Sequence, residues 1–112
     1  MQRRNQKVVE RAPAPYLDAA QRAEICELGR RICAHVGYEC AGTVEFLMDM
    51  DTGRFYFIEV NPRVQVEHTV TEQVTGIDIV RAQILIAEGK TLAEATGVAR
   101  QEDVRLYGHA LQ

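Results

Sequence analysis

Residues 57–68 read Phe-Ile-Glu-Val-Asn-Pro-Arg-Val-Gln-Val-Glu-His. An apolar run therefore delivers Glu59, Asn61, Arg63 and Glu67 within a few positions of one strand end. Carboxylate and amide oxygens are hard donors, the ligand set of magnesium, manganese or calcium rather than of a soft metal. Magnesium takes one or two protein carboxylates and completes its octahedron with water and nucleotide phosphates, so this set suits a nucleoside-triphosphate site better than a closed protein cage. Arg63 adds a planar cationic fork matched to a carboxylate-like anion, and Glu67 is a candidate general base. The plainer readings are a solvent-facing strand end for each carboxylate and an Arg63–Glu67 ion pair for the rest. All of these residue types gathered at one strand end weigh against them. His68 is left without a role, since a single histidine more often packs or lies on the surface.

A hairpin must position these groups. Val44, Phe46 and Met48 alternate with Glu45, Leu47 and Asp49, and Tyr56, Ile58 and Val60 alternate with Phe57, Glu59 and Asn61. The two extended runs, 41–50 and 54–60, flank Asp51-Thr52-Gly53, good chemistry for a three-residue loop ending in a glycine of positive φ. With Met50 facing Arg54, that loop sets Glu45 opposite Glu59 and Thr43 opposite Asn61. Two carboxylates directly opposed would repel unless a divalent cation sat between them. An even-numbered loop would put them on opposite faces.

Around the hairpin, residues 5–11 read as a strand closed by Ala12-Pro13-Ala14-Pro15. Asp18 and Gln21 form a capping box for a helix over 19–36, with Ile25, Leu28, Gly29, Ile32, Cys33 and Val36 on one stripe and Gly37 as the stop. A second helix runs from Glu67 to Thr75, with Val70 and Val74 four apart and Gly76 ending it. Asp78 caps a third, in which Val80, Ile84 and Ala87 face inward and Gly89 is the stop. Thr91–Ala95 adds a turn, and 106–111 reads as a strand. The fold class is α+β, a central antiparallel hairpin or sheet flanked by helices.

The chain has 112 residues and a net charge of -3, enough for one domain with a modest core. The acidic balance excludes a general nucleic-acid binder, and no apolar run is long enough to span a bilayer; the expectation is a cytoplasmic protein. Cys26, Cys33 and Cys40 have no paired Cys-x-x-Cys, so packed, reduced thiols fit better than zinc. Arg3, Arg4, Lys7 and Arg11 crowd the first eleven positions. Nothing there shows by charge alone more than a solvated strand end.

The segment Phe55-Tyr56-Phe57-Ile58-Glu59-Val60-Asn61-Pro62-Arg63-Val64-Gln65-Val66-Glu67-His68 resembles the active-site segment of the biotin carboxylases, members of the ATP-grasp superfamily. The wider superfamily shares Glu59-x-Asn61. Arg63-x-Gln65-Val66-Glu67-His68 marks the biotin-dependent group and separates it from the synthetase that makes carbamoyl phosphate, which shares the Glu-x-Asn-x-Arg strand end. Residues 1–10 and Ala41-Gly42-Thr43-Val44-Glu45-Phe46 match as well. His68-Thr69-Val70-Thr71-Glu72 and Gly108-His109-Ala110-Leu111-Gln112 resemble the pyruvate carboxylases more than the acyl-CoA carboxylases.

The resemblance implies a function and a set of roles. Glu45 and Glu59 match ligands of metal and ATP, and Asn61 a further metal ligand. Arg63 matches a catalytic arginine that lies with Gln65 and the backbone of Val66 against bicarbonate. Glu67 matches the base that deprotonates bicarbonate, and Lys7 a lysine that contacts bicarbonate and the transferred phosphate. Gln2 and Leu47 fall at nucleotide-side positions. The implied reaction phosphorylates bicarbonate with ATP to carboxyphosphate, with magnesium or manganese, and carboxylates biotin on a carrier domain. The implied setting is a homo-oligomeric pyruvate carboxylase. The alternatives are an acetyl- or propionyl-CoA-type carboxylase and an inactive ATP- or metal-binding fragment. Asn5 stands where many members have histidine, and no glycine-rich phosphate loop is present. The chain is therefore expected to be the C-terminal portion of an ATP-grasp domain, residues 1–112 of a longer enzyme, with little or no turnover alone.

Overall fold

The computed structural model describes the backbone of Gln2–Arg3 and of residues 6–112, with side chains from Lys7 onward. Asn5, singled out from the sequence, lies outside the described residues. In chain order the elements are β1 (Gln2–Arg3), β2 (Gln6–Lys7), β3 (Arg11–Ala12), α1 (Ala19–His35), β4 (Thr43–Met48), β5 (Phe55–Asn61), α2 (His68–Thr75), α3 (Ile79–Ala87), α4 (Leu92–Thr96), a 3-10 turn (Gln101–Asp103) and β6 (Ala110–Leu111). Among the described residues the sheets are two-stranded and antiparallel: β1 with β2, β3 with β6, and β4 with β5. The chain is an α+β protein with the β4–β5 hairpin as its longest ladder. It divides into two compact units, Tyr16–Gln65 and the paired segments Met1–Pro15 and Val66–Gln112. No helix among the described residues is long and apolar enough to cross a membrane.

In the Tyr16–Gln65 unit, α1 starts at the expected capping box. The Gln21 amide donates to the Asp18 carboxylate at 2.8 Å, and the Asp18 amide donates back to the Gln21 side chain at 3.1 Å. Two otherwise orphaned N–H groups are satisfied together. The half-buried stripe is Ile25, Leu28, Gly29, Ile32 and Cys33. A side chain at Gly29 would meet Val44 at 3.8 Å, so glycine lets α1 lie close on β4. Cys33 is half-buried, but Cys26 and Cys40 are exposed, so packing accounts for only one of the three thiols.

The hairpin loop differs from the sequence reading. The Asp49 amide donates to the Arg54 carbonyl at 2.9 Å, which closes an even-numbered loop, Met50–Gly53. The cause is the Asp49 side chain. Its carboxylate accepts from the Asp51 amide at 2.9 Å and the Thr52 hydroxyl at 2.7 Å, a side-chain turn that draws in one more residue. Gly53 closes the loop at φ 70°, its amide donating to the Asp49 carbonyl at 2.7 Å.

In the other unit, α2 packs against β3 and β6, and α3 packs on α4. Val70 and Val74 are 7% and 3% exposed and, with Ala82, are the buried apolar residues among those described. Glu72 joins α2 to α3, its carboxylate accepting from the Ile79 amide at 2.7 Å. The inward face of α3 is not the expected one. Ala82 is buried and Ile79, Gln83 and Ile86 are half-buried, while Val80, Ile84 and Ala87 are exposed. The helix reads Ile-Val-Arg-Ala-Gln-Ile-Leu-Ile-Ala, apolar nearly all round, so its period does not choose a stripe.

The strand expected over 5–11 is divided between β2 and β3. The one expected over 106–111 forms only at Ala110–Leu111, after Gly108 at φ 63°. Backbone bonds of 2.9 Å in both directions between Glu10 and Gln112 extend the β3–β6 pairing.

Two measurements check this account. In urea unfolding, Val74→Ala should cost about 2 kcal/mol, from lost burial plus a cavity, and Asp18→Ala about 1 kcal/mol, from the lost cap. Separately, the Thr52 hydroxyl and the Asp51 amide hold the Asp49 carboxyl below its ordinary range. Its folded pKa lies below its unfolded one, so its contribution is present above the ordinary carboxylate range and fades as pH falls through the lowered value. Thr52→Val should raise the Asp49 pKa in a carboxyl-detected NMR titration; an unchanged value would refute the side-chain turn.

Candidate functional site

The even-numbered loop alone would set Ile58 opposite Glu45 and turn Glu59 to the other face. That does not happen. Met48, Leu47 and Phe46 pair with Phe55, Tyr56 and Phe57, and the register then shifts, so that Glu45 pairs with Glu59, Val44 with Val60 and Thr43 with Asn61. Ile58 is the surplus residue of a β-bulge. The expected Glu45–Glu59 pairing is therefore present, but it comes from a bulge rather than from a three-residue loop. The simple alternation of β5 breaks at Ile58, placing Tyr56 on the same face as Glu59 and Asn61. Phe46 and Phe57 meet edge to face beside the bulge, their ring centres 6.0 Å apart.

On that face the two carboxylates converge on one amide. Asn61 Nδ2 donates to Glu45 Oε1 and to Glu59 Oε1, both at 3.1 Å. Directly opposed like charges destabilise a ladder, and the polarised amide hydrogens between them offset part of that repulsion. Glu45 and Asn61 are half-buried and Glu59 is exposed. Among the described residues no three His, Cys, Asp or Glu side chains gather, so the protein offers two carboxylates and an amide. Those oxygens suit a hard divalent cation that keeps several ligands from elsewhere. Leu47, 59% exposed, lies on the same face across from Tyr56.

Past β5 the chain turns sharply at Pro62. The Arg63 amide donates to the Asn61 carbonyl at 2.8 Å. The exposed Arg63 guanidinium follows, Nη1 donating to the Val64 carbonyl at 3.4 Å. Gln65 is half-buried with Oε1 shielded from solvent. Glu45, Leu47, Glu59, Asn61, Arg63 and Gln65 thus belong to one unit.

The remaining candidates belong to the other unit. Val66 is exposed, and Glu67 is the half-buried N-cap of α2, where the helix dipole favours negative charge. His68 Nε2 lies 3.8 Å from the Glu72 carboxylate, one turn along α2. Gln2 and Lys7 face each other across the β1–β2 ladder, so two separately proposed residues share one hairpin.

Sequence reasoning gave no role to Ile58, Gly42 or Tyr38. The Asp49 side-chain turn has a signal visible in the sequence as Asp-Met-Asp-Thr-Gly, whereas the bulge at Ile58 does not follow from it.

The comparisons bear on this arrangement. Residues 1–95 match the model of the carbamoyl-phosphate synthase L chain, ATP-binding domain. The chain belongs to that family. It is 55% identical over 112 residues to a biotin carboxylase of Allochromatium vinosum, covering 100% of this chain and 23% of that protein. It superimposes on the pyruvate carboxylase of Rhizobium etli with TM-score 0.92 and 66% identity, covering 98% of this chain and 11% of that one. The biotin carboxylase domain of a thermophilic 2-oxoglutarate carboxylase, solved bound to bicarbonate, matches with TM-score 0.89 and 47% identity, covering 99% of this chain and 24% of that one. The chain thus spans about a tenth to a quarter of the length of these relatives, and its fold is that of the matching part of the biotin carboxylase domain.

The opposed carboxylates generate a prediction of opposite signs. In metal-free buffer, Glu59→Gln should raise stability by up to about 1 kcal/mol by removing the repulsion, and Asn61→Asp should lower it. Added manganese should stabilise the parent chain and not Glu59→Gln. Thermal melts with and without the ion check both; equal metal responses would rule out a shared cation.

Proposed function

We propose that this segment supplies the cation- and bicarbonate-binding edge of a biotin carboxylase active site, within a pyruvate carboxylase. The observation that carries the reading is the Glu45–Asn61–Glu59 cluster, held together by the Asn61 amide and continued by Arg63, Gln65 and Glu67. The relatives support it: one is named a biotin carboxylase, one a pyruvate carboxylase, and one the biotin carboxylase domain of a 2-oxoglutarate carboxylase. The identity of 66% to the Rhizobium etli enzyme favours pyruvate as acceptor.

Glu45, Glu59 and Asn61 would hold magnesium or manganese, which when bound offsets the charge of the ATP phosphates. Leu47 and Gln2 would line the nucleotide side. Arg63 would bind bicarbonate through its planar fork, with Gln65 and the Val66 backbone fixing its orientation. Lys7 would offset repulsion between bicarbonate and the phosphate it attacks. Glu67 would take the bicarbonate proton, converting a weak nucleophile into one able to accept the γ-phosphoryl group. Carboxyphosphate so formed would break to phosphate and carbon dioxide, and a biotin ring nitrogen on a carrier domain would take up the carbon dioxide as its N–H proton passes to the released phosphate.

The segment would be the C-terminal portion of its ATP-grasp domain. The exposed Leu47, Phe57, Ile58 and Met50 of the hairpin would be covered by the remaining parts of the carboxylase. The reading also includes a homo-oligomeric assembly.

Bicarbonate-dependent ATP cleavage by the enzyme carrying this segment tests the proposal. Glu67→Gln and Arg63→Ala should each lower kcat about a hundredfold or more, while Glu59→Gln should mainly raise the magnesium concentration needed. Bicarbonate-dependent cleavage at the parent rate in Glu67→Gln would remove the base from the scheme.

A further inference from the structure

The Asn61 amide can bridge the two carboxylates only if the backbone beneath it is held, and Tyr38 and Gly42 lie close to that backbone. Tyr38 follows the Gly37 stop of α1, its amide donating to the Cys33 carbonyl at 2.9 Å while Gly37 donates to Ala34 at 3.2 Å. That is the double bond of a helix-terminating motif, and it locks the Tyr38 backbone to the end of α1. The half-buried phenol then reaches forward, its hydroxyl donating to the Ala41 carbonyl at 2.9 Å. Burial raises the phenol pKa, with the neighbouring Cys40 and Cys33 thiols acting in the same direction, which keeps it a donor.

The latch leads to Gly42. A Cβ placed there would sit 3.1 Å from the Asn61 carbonyl oxygen, 3.2 Å from Tyr38 Cε1 and 3.6 Å from Pro62 Cα. Ring, carbonyl and proline turn therefore close on a position where an added Cβ would force the Asn61 carbonyl or the ring to give by a few tenths of an ångström. The same Asn61 carbonyl accepts from Arg63, so it anchors the turn that launches the guanidinium.

We propose that Tyr38 and Gly42 form a positioning device for the site: the latched ring and the bare α-carbon fix the Asn61–Pro62–Arg63 backbone, and through it the bridging amide and the guanidinium. Neither residue touches cation or substrate; both act through Asn61. The inference rests on the proposed role of Asn61 at the cation, and the test separates the two.

In the enzyme carrying this segment, manganese dependence of bicarbonate-dependent ATP cleavage would be measured well below the melting temperature for Tyr38→Phe, Gly42→Ala, Asn61→Ala and the double variant Tyr38→Phe/Asn61→Ala. Tyr38→Phe should raise the half-saturating manganese concentration about threefold to tenfold with a smaller effect on kcat, and Gly42→Ala should raise it further. The double variant should be no worse than Asn61→Ala alone, because the tyrosine acts through the asparagine. An unchanged manganese midpoint in Tyr38→Phe and Gly42→Ala, alongside a raised one in Asn61→Ala, would overturn the positioning device and leave the cation site standing. So would a lowered melting temperature with unchanged midpoints, or effects of Tyr38→Phe and Asn61→Ala that simply add. An unchanged midpoint in Asn61→Ala would overturn the proposed cation site, and this inference with it.

Discussion

Glu45 and Glu59 face each other across a β ladder because Ile58 is surplus to it. The arrangement runs against the electrostatics of strand pairing, and most of the surrounding detail manages that conflict. The Asn61 amide lies between the two carboxylates. The strand that carries Glu59 and Asn61 ends at once in a tight turn about Pro62, and Gly42 lets the neighbouring backbone and the Tyr38 ring approach closely enough to brace that turn. Bulges re-aim side chains at the cost of one unpaired residue, and here the re-aimed groups are the ones with chemistry.

How much of this could be read from the sequence varied with the range of the interaction. Capping at Asp18 and Asp78 was legible because each signal is complete within four residues. The face of α3 was not, since a helix apolar on nearly every side is oriented by what packs on it. The Glu45–Glu59 pairing is the instructive case. The loop is one residue longer than its Asp-Thr-Gly core suggests, because the Asp49 carboxylate captures two more donors. The bulge then returns the register to the expected value. The pairing came out as expected through two departures from regularity that cancel, so agreement at the site says little about the turn that was meant to produce it.

Candidate residues on two-residue strands followed a different rule. Gln2 and Lys7 gained their adjacency from a short hairpin that hydrophobic periodicity could not announce, since two-residue strands carry too little pattern. Roles for Arg63 and Glu67 came from residue chemistry and from resemblance. Their local geometry adds the Pro62 turn behind one and the α2 N-terminus beneath the other.

The choice of asparagine over aspartate at position 61 has an electrostatic logic in the proposed role. Two carboxylates balance a divalent cation, leaving its field available to the phosphates of a nucleotide. A third carboxylate would make the protein ligands net negative around the ion, weaken its hold on phosphate, and sharpen the repulsion when the ion is absent. An amide would supply a neutral oxygen to the cation, and its N–H group faces the two carboxylates at 3.1 Å. One side chain thus serves both the carboxylate pair and the proposed cation, provided its backbone stays where Tyr38 and Gly42 hold it.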